Sequence, residues 1–394
     1  PGGMLCGPGR AFGVQRVGNS LFGNRTWHGT GVATTLAGKL NNRWSPGDGR
    51  IGGRAGVAGQ IAQPMLYQYG LGSYVFEFGA GIQKAAADGA SVINLSGGYP
   101  CRIADNLGIG FNICSPAGRA ALCATATAIL ATASAAICAT AGATAAIPFV
   151  GPIIAIPLFI ACGVATAATV AASTACFATL LLGDPRDPMI AGVQFATERG
   201  VPIVVSAGNR LSSEVLPPVI RDLINFNEVR IEEWQVFPAM IEPCIVAGAT
   251  SDNWPFDNQH FTGNRVNIWA PIRTAYYRPT PEDRITPSNE WGLETIGGTS
   301  AAAPYAAGTI AAMQAVNPSL NPRTPGLTAA QRRGIPARIR GILTNSAWTT
   351  AELAAMAPPD QVAAVNAGAP LRRHLINPLR AVRTAAAGII PDFA

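Results

Sequence analysis

Charged side chains are scarce in this sequence: they make up 13% of its 394 residues, whereas 48% of the residues are hydrophobic. The net charge is +6, the arginines are scattered, and the helix start at Gln83-Lys84 has no aromatic residues interleaved with it. We therefore interpret the positive charge as a solvated surface, and the sequence predicts no nucleic-acid partner. A chain of this length and hydrophobicity can bury a sizeable core.

Histidine is also rare, with only three positions in the whole chain. His28 begins a small-residue turn that leads into an apolar helical stretch ending near Gly38. A histidine at such a start is held on a rigid element and open to a cleft, as a general base must be. His260 lies in a polar stretch and His374 in an Arg-rich one, so we interpret both as surface residues.

A serine stands where a second small-residue helix begins. Ser300 lies in the segment GGTSAAAPY, residues 297–305, which runs into an apolar helix. A helix N-terminus offers unpaired backbone N–H groups and a partial positive charge, and a neighbouring N–H can face an oxyanion. Gly, Thr and Ser are also ordinary helix-capping residues, so a plain cap stays open until a base and an oxyanion donor are identified.

Two apolar segments indicate buried parallel strands that end in turns. Residues 200–209, GVPIVVSAGN, end at Asn209, whose amide could donate to an oxyanion or merely terminate the turn. Residues 90–98, ASVINLSGG, end in two glycines, and their bare backbone suits a peptide laid alongside as an added strand. Ligand groups in open α/β sheets gather at such carboxyl ends of strands.

Four motifs in order (HGT at His28, NLSGG at 94–98, AGN at 207–209 and GTSAAAP at 298–304) resemble the subtilisin-like serine proteases, or subtilases. Connecting segments resemble the family as well, so the likeness spans most of residues 20–382 apart from one large insert. The resemblance implies an α/β fold, a three-layer sandwich around a central, mostly parallel sheet. It also implies a serine endopeptidase that acts on peptide or protein substrates.

The resemblance also assigns roles to individual residues. Ser300 would be the nucleophile that forms the acyl-enzyme, His28 the general base and Asn209 the oxyanion donor. Backbone of the following residues would form the two edges of the substrate groove: Leu95, Ser96 and Gly97 on one side, and Gly72, Ser73 and Tyr74 on the other. Tyr74 could equally just cover the surface. No cofactor is implied for the chemistry, and no metal ligand is assigned. Calcium is common in the family, but the loop at residues 41–48 departs from the family pattern and does not support a site.

One member of the implied triad is missing. The family order is Asp, His, Ser, with the aspartate ending a buried strand roughly thirty residues before the histidine. Residues 1–27 hold no Asp or Glu and show no buried strand of the expected kind, and the first aspartate is Asp48. Either the chain begins downstream of the aspartate, which the start at Pro1 without Met favours, or it is a degenerate protease. We expect this chain alone to be inactive or nearly so. The alternative function is an inactive subtilase-like module whose hydrophobic hairpin mediates membrane or protein association.

The insert is the second notable feature. No charged side chain occurs from Ala120 to Gly183. Proline and glycine near residue 150 favour a turn between two long helices, at about residues 117–147 and 153–182. Each helix exceeds the roughly 20 residues needed to cross a bilayer. We therefore divide the chain into residues 1–98 and 188–382 of the subtilase-like domain, an apolar helical-hairpin insert at 99–187, and a tail at 383–394.

Cysteine positions favour a stapled hairpin. An antiparallel fold about residue 150 sets Cys138 opposite Cys162 and Cys123 opposite Cys176, which predicts two disulfides. A metal site is one alternative, but the spacing of these cysteines lacks the close Cys-x-x-Cys pairs of zinc sites. Four buried free thiols are the other alternative. The four remaining cysteines can pair in three ways. The pairing that closes the shortest loop is Cys101–Cys114, and it leaves Cys6 to pair with Cys244.

An even, pairable set of eight cysteines indicates an oxidising compartment, so we expect a secreted or periplasmic protein. Residues 117–182 offer contact with a membrane, with a partner protein, or with the protease body itself. The abundance of Ala and Thr makes these helices marginal as bilayer spans. An apolar arm of this length is nevertheless hard to leave exposed to water. Membrane association and protein association both stay open.

Overall fold

The structure is a computed structural model that describes much of the chain in separate segments. These are residues 14–17, 28–37, 56–59, 61–69, 74–103, 111–112, 114–145, 160–167, 169–170, 186–209, 231–250, 262–271, 274–279, 291–357, 359–360, 362–363 and 374–388. The chain divides into two compact units. The first comprises Pro1–Pro100 with Pro188–Ala394, and the second comprises Cys101–Asp187.

The secondary structure alternates between strands and helices. In chain order, the strands are β1 (Val14–Val17), β2 (Leu66–Tyr69), β3 (Ile93–Leu95), β4 (Tyr99–Pro100), β5 (Arg102–Ile103), β6 (Phe111–Asn112), β7 (Ile203–Ser206), β8 (Val236–Phe237), β9 (Ile245–Thr250), β10 (Ile268–Pro271), β11 (Thr274–Pro279) and β12 (Trp291–Ile296). The helices are α1 (His28–Ala37), α2 (Tyr74–Ala87), α3 (Pro116–Ala145), α4 (Arg186–Glu198), α5 (Ile231–Trp234), α6 (Thr299–Val316), α7 (Ala329–Arg333), α8 (Ile335–Asn345), α9 (Thr350–Met356) and α10 (Pro378–Ala386).

The first unit is built on a parallel sheet with the strand order β10-β9-β7-β3. Strand β9 is buried along all six residues and β7 along all four. Continuously apolar strands of this kind are what a sheet covered on both faces requires. The predicted α/β class with a central parallel sheet is confirmed.

Helix α6 packs on this sheet and carries little side-chain bulk. Most of its 18 residues are buried, and it contacts β3, β7, β9 and β10 as well as α1 and α10. A Cβ atom built at Gly308 would lie 2.8 Å from Val57 Cβ and 3.1 Å from the carbonyl oxygen of Leu36. Alanine and glycine therefore allow α6 to approach its neighbours more closely than larger residues would.

The first unit also has pairs of strands outside the sheet of β10, β9, β7 and β3. In one of them β1 pairs in parallel with β2, from Val14 opposite Leu66 to Val17 opposite Tyr69. Polar residues in the middle of this four-residue strand hide it from a search for an apolar run. In another pair β11 lies antiparallel to β12. Paired tyrosines in β11 favour a strand, and its proline stands at the strand end, where it is tolerated.

His374 is a structural residue rather than a plain surface residue. It is half-buried, its φ of 71° is in the left-handed region, and its ring Nδ1 lies 3.1 Å from the carbonyl oxygen of Thr344. Its own carbonyl oxygen accepts a hydrogen bond from the backbone N–H of Trp269 at 3.0 Å. This contact joins the chain before α10 to strand β10. His260 lies outside the described residues.

The second unit contains helix α3, which is 30 residues long, and a helical segment at residues 160–167. The predicted disulfides Cys101–Cys114 and Cys138–Cys162 are confirmed, with Cα–Cα distances of 5.1 and 4.9 Å. Cys123 is also disulfide-bonded, but its partner lies outside the described residues, as does Cys176. Residues 146–159 are likewise outside them, so the connecting turn of the hairpin stays a prediction.

The predicted pair Cys6–Cys244 is wrong, because Cys244 is a free thiol. Cys244 is fully buried and lies directly before β9. Burial raises the pKa of its thiol to about 12, so the thiolate that would react is scarce at neutral pH. Cys6 lies outside the described residues.

A charged pair near the C-terminus gives a pH-dependent prediction. Arg380 donates to both carboxylate oxygens of Glu352, at 2.6 and 3.2 Å, and Thr349 forms a capping box with Glu352 at the start of α9. The hydrogen bonds from Arg380 and Thr349 lower the pKa of Glu352 from 4.5 to about 2. A lowered pKa stabilises the fold above pH 4.5, and this stabilisation is lost as the pH falls towards 2. We expect Glu352→Gln to lower the melting temperature at pH 7 and to have no effect near pH 2.

Thermal unfolding of both proteins from pH 2 to pH 8 measures this difference. Glu242→Gln is the matched control, because Glu242 pairs with Arg340 through a side chain that is 71% exposed. An exposed pair of this kind contributes little to stability. A melting-temperature difference for Glu352→Gln that stays constant across the whole pH range would contradict the assignment.

Candidate active site

The N-terminus of α6 is preceded by a glycine that no other residue can replace without strain. Gly298 is the N-cap, and its φ of 74° lies in the left-handed region. A Cβ atom at this position would also lie 2.7 Å from Oδ1 of Asn209. Both the backbone conformation and the close approach of Asn209 therefore require glycine here.

The Asn209 side chain is bound to the first residue of α6. Its Oδ1 accepts a hydrogen bond from the backbone N–H of Thr299 at 2.9 Å and another from the Thr299 hydroxyl at 2.8 Å. The Thr299 hydroxyl in turn accepts from the backbone N–H of Gly208 at 3.2 Å. Two donors on one oxygen fix the amide orientation. The exposed Asn209 is thus held with Nδ2 free of any acceptor among the described residues.

Ser300 follows Thr299 at the second position of α6 and is 8% exposed. Its hydroxyl lies 3.5 Å from the carbonyl oxygen of Ser96, a long contact that leaves the hydroxyl weakly held. Ser96 follows strand β3, and Asn209 follows strand β7, which is hydrogen-bonded to β3. The sheet therefore brings both strand ends to the N-terminus of α6, as the sequence predicted for a cleft at the carboxyl ends of parallel strands.

A proline explains why Ser300 is also bound through its backbone. Pro304 lies four residues after Ser300 inside α6 and has no N–H, so the Ser300 carbonyl oxygen has no intrahelical partner. The Ser96 hydroxyl donates to this oxygen at 3.0 Å. Asn94 supports that hydroxyl by donating from Nδ2 to Ser96 Oγ at 3.1 Å. The result is a hydrogen-bonded chain from Asn94 through Ser96 to Ser300.

His28 is the first residue of α1, the helical start that the sequence predicted. The described structure does not extend to its side chain, so no distance joins His28 to Ser300. Helix α1 packs against α6 at Leu36 and Gly308. Each of these residues lies eight positions after its counterpart, His28 in one helix and Ser300 in the other.

The triad carboxylate is not identified. Strand β1 ends at Val17, and residues 18–27 between it and α1 lie outside the described residues. No Asp or Glu occurs before Asp48 in the sequence, and Asp48 is outside the described residues as well. In the part of the chain that the structure describes, no group of three or more His, Cys, Asp or Glu side chains could hold a metal ion.

The structure describes one of the two predicted edges of the substrate groove. Leu95 is buried, whereas Ser96 and Gly97 are half-buried, and a Cβ atom at Gly97 would lie 3.1 Å from the Phe78 ring. On the other side, Gly72 and Ser73 lie outside the described residues, and Tyr74 begins α2 without a described side chain. Sequence reasoning missed Thr299 as the anchor of Asn209 and the Ser96 side chain as a partner of Ser300. The proline four residues after Ser300 is the signal that could have indicated a free carbonyl.

Comparison with known proteins gives one family. The model of the subtilase family matches residues 16–369. No curated protein matches the sequence. Among solved structures, MycP1 without its N-terminal propeptide is similar over 95% of this chain and 86% of its own, at 18% identity and a TM-score of 0.49. A protease from Pseudoalteromonas arctica is similar over 96% of this chain and 76% of its own, at 16% identity and a TM-score of 0.47. Fervidolysin from Fervidobacterium pennivorans, a keratinolytic enzyme related to subtilisin, covers 92% of this chain and 36% of its own, at 16% identity and a TM-score of 0.44.

Proposed function

The chain belongs to the subtilase family of serine proteases, and on that basis we propose that it cleaves peptide bonds with Ser300 as nucleophile, His28 as general base and Asn209 as oxyanion donor. Subtilases act on peptide or protein substrates. The chemistry needs no cofactor, and no calcium site is proposed.

The proposed reaction has two stages. In the first, the Ser300 hydroxyl oxygen bonds to the substrate carbonyl carbon while His28 takes the hydroxyl proton, and the carbonyl oxygen becomes an oxyanion. His28 then gives that proton to the leaving amine as the C–N bond breaks, which leaves an ester on Ser300. In the second stage, water attacks this ester and gives a proton to His28. His28 then passes that proton to Ser300 Oγ as the ester C–O bond breaks, and the carboxylic acid leaves. Nδ2 of Asn209 donates to the oxyanion in both stages.

The observation that carries the proposal is the pair of hydrogen bonds from Thr299 to Oδ1 of Asn209. They leave the amide Nδ2 as a donor that is fixed beside Ser300 before substrate arrives. A donor that does not have to reorient stabilises a developing charge better than solvent does. The N-terminus of α6 adds the positive end of a helix dipole at the same place.

The packing of α1 on α6 supports His28 as the base. His28 and Ser300 each lie eight residues before the contact of Leu36 with Gly308, which corresponds to about 12 Å along either helix. The proposal requires that the two helices run in the same direction, so that their first residues are level. A base and a nucleophile placed in this way can come within hydrogen-bonding distance.

We propose that a substrate lies along the strand end at Leu95, Ser96 and Gly97 and pairs with its backbone. Gly72, Ser73 and Tyr74 are the proposed opposite edge. The half-buried Ser96 and Gly97 support the first edge, because a strand end that is only partly covered can pair with another strand. We also propose that the protein is secreted or periplasmic, which its disulfides support.

The Ser96 hydroxyl gives a prediction about positioning. We expect Ser96→Ala to lower kcat about ten-fold with little change in KM, because the Ser300 carbonyl loses its partner and the nucleophile loses its fixed position. Ser96→Thr keeps the hydroxyl and is expected to restore most of kcat. Hydrolysis of a p-nitrophenyl ester of a short acylated peptide measures both. Equal losses in the Ala and Thr variants would show that the site responds to size and not to the hydrogen bond.

The second candidate function is the inactive module, which the lack of any Asp or Glu before Asp48 favours. Without a carboxylate to orient His28, we expect this chain alone to hydrolyse peptides at no more than roughly 10⁻⁴ of an ordinary protease rate. Hydrolysis of a quenched fluorescent peptide library, compared between the wild type and His28→Ala, distinguishes the two functions. A weak rate that falls further in His28→Ala supports the enzyme. The same background rate in both proteins supports the module.

A further inference from the structure

We propose that the apolar arm, residues 117–182, enters a lipid bilayer as an antiparallel pair of helices whose two charged ends stay on the same side of the membrane. Four properties of the described residues carry this inference. They are the exposure of α3, the direction of the helical residues 160–167 and 169–170 (the partner segment), the position of the nearest charges, and the internal hydrogen bonds of hydroxyl groups in the arm.

Helix α3 is long enough and apolar enough to cross a membrane, and it is not a core helix. Its 30 residues correspond to about 45 Å, whereas the hydrocarbon core of a bilayer is about 30 Å thick. Only 13% of its most apolar window, within Pro116–Ala141, is buried. A core helix of a soluble protein would have most of that window buried. An exposed helix of this composition needs another apolar environment.

Most of the circumference of α3 is exposed, apart from the line on which Ser134 and Ala141 are buried. Ala131, Thr132 and Ala133 are all exposed, and three successive residues at 100° intervals span about 200° of the circumference. Ile160, Val164 and Val170 in the partner segment are 64%, 66% and 61% exposed. A partner protein would cover one face and leave a polar face to water. Lipid covers every side, and a helix that is apolar all round matches that environment.

Two cross-links show that the partner segment runs antiparallel to α3. The disulfide joins Cys138 to Cys162, and the hydroxyls of Ser134 and Thr169 lie 2.9 Å apart. The earlier residue of α3, Ser134, thus contacts the later residue of the partner segment, Thr169, so the two run in opposite directions. The described residues of the partner segment therefore lead back towards the first residues of α3.

The nearest charges in the sequence flank the arm on both sides. No charged side chain occurs from Ala120 to Gly183, while Arg119 precedes this stretch and Asp184, Arg186 and Asp187 follow it. Arg119 donates to the carbonyl oxygen of Cys114 at 3.1 Å, so it is fixed at the base of α3. The middle of the arm, residues 146–159, is apolar in sequence. An arm of this kind can insert into a bilayer without transferring a charged side chain through the hydrocarbon.

Four threonine hydroxyls among the described residues of the arm are satisfied inside the arm. Each donates to the carbonyl oxygen four residues earlier, at 2.8 or 2.9 Å: Thr132 to Ala128, Thr140 to Ala136, Thr166 to Cys162 and Thr169 to Ala165. Hydrocarbon offers no partner for a free hydroxyl, so internal satisfaction is a condition for burial in lipid. These four threonines are thus compatible with a bilayer.

Quenching by lipid measures insertion directly. Val164→Trp in the full chain places a fluorophore on the exposed face of the arm, and its fluorescence is read on phosphatidylcholine vesicles whose acyl chains carry bromine. We expect strong quenching of the added tryptophan signal, which remains in 1 M NaCl because the contact is apolar. The same change at Gln194, an exposed residue of α4 in the other unit, is the control and is expected to show no quenching.

Charge provides the second variant. Ile160→Lys combined with Val164→Lys is expected to lower vesicle binding at least roughly ten-fold, because two charges must then enter hydrocarbon. Peptide mapping without reducing agent checks that Cys138–Cys162 still forms, so a loss of binding is not a loss of fold. No quenching of the Val164→Trp protein would overturn the inference. Oligomers that form with rising protein concentration and do not dissociate when vesicles are added would overturn it in favour of a protein partner. All measurements are repeated with Ser300→Ala, so they do not depend on the proposed protease activity.

Discussion

Ser300→Ala is expected to abolish covalent labelling by a fluorophosphonate probe and to lower the remaining ester hydrolysis of this chain by roughly 10²-fold relative to the wild type, because the effects of triad residues are not additive and no triad carboxylate is identified. The probe reacts only with an activated nucleophile, and alanine removes the oxygen that attacks. The change deletes one atom from a residue that is 8% exposed, and the contacts of Thr299 with Asn209 do not involve it. Gel fluorescence and mass spectrometry of the labelled protein measure the loss.

Ser206→Ala is the matched control, because Ser206 is a buried serine at the end of strand β7 without a proposed role. We expect it to keep full labelling. Labelling of Ser300→Ala at the wild-type rate would mean that another residue reacts with the probe. No labelling of the wild-type chain, even after long exposure, would favour the inactive module.

Asn209→Asp is expected to lower kcat for a p-nitrophenyl ester by about 10²- to 10³-fold while KM changes little. The substitution keeps the shape of the side chain and the oxygen that accepts from Thr299, but it removes the Nδ2 donor. A carboxylate in that place also repels the negative charge that develops on the substrate oxygen. The loss therefore falls on the transition state and not on substrate binding.

Two comparisons separate this catalytic effect from a structural one. Asn209→Ala removes the donor and the acceptor together, so it is expected to lower the melting temperature as well, because the first N–H of α6 loses its partner. Asn377→Asp makes the same exchange at the N-cap of α10, where the side chain accepts only from the Arg380 N–H among the described residues. We expect it to leave kcat unchanged. Equal kcat values for the wild type and Asn209→Asp would contradict the oxyanion role.

The parts of the fold that the sequence could predict are those with a strong local pattern. Strands β7 and β9 are continuous apolar runs ended by small residues, and α6 begins at the predicted Gly-Thr-Ser segment. The disulfide Cys138–Cys162 followed from its position in an antiparallel arrangement of two apolar segments. In each case local composition and the final environment agree, so the pattern and the structure give the same answer.

The parts that could not be predicted depend on contacts between distant residues. Strand β1 is polar in its middle and exists through its pairing with β2. Cys244 was paired by elimination, but it is a buried free thiol before β9. A sequence also cannot show that Thr299 anchors Asn209, because the two residues are 90 positions apart and meet only when β7 and α6 pack together. The roles of His28, Ser300 and Asn209 stay predictions.

A crystal structure of the protein after reaction with a peptide boronic acid tests the central claim most directly. We expect a covalent bond between boron and Ser300 Oγ, and one boronate oxygen about 2.7–3.1 Å from Nδ2 of Asn209, the distance that an oxyanion donor requires. The same structure would show whether the His28 ring faces Ser300 Oγ. An adduct on any other residue, or a boronate oxygen that points away from Asn209, would contradict the account.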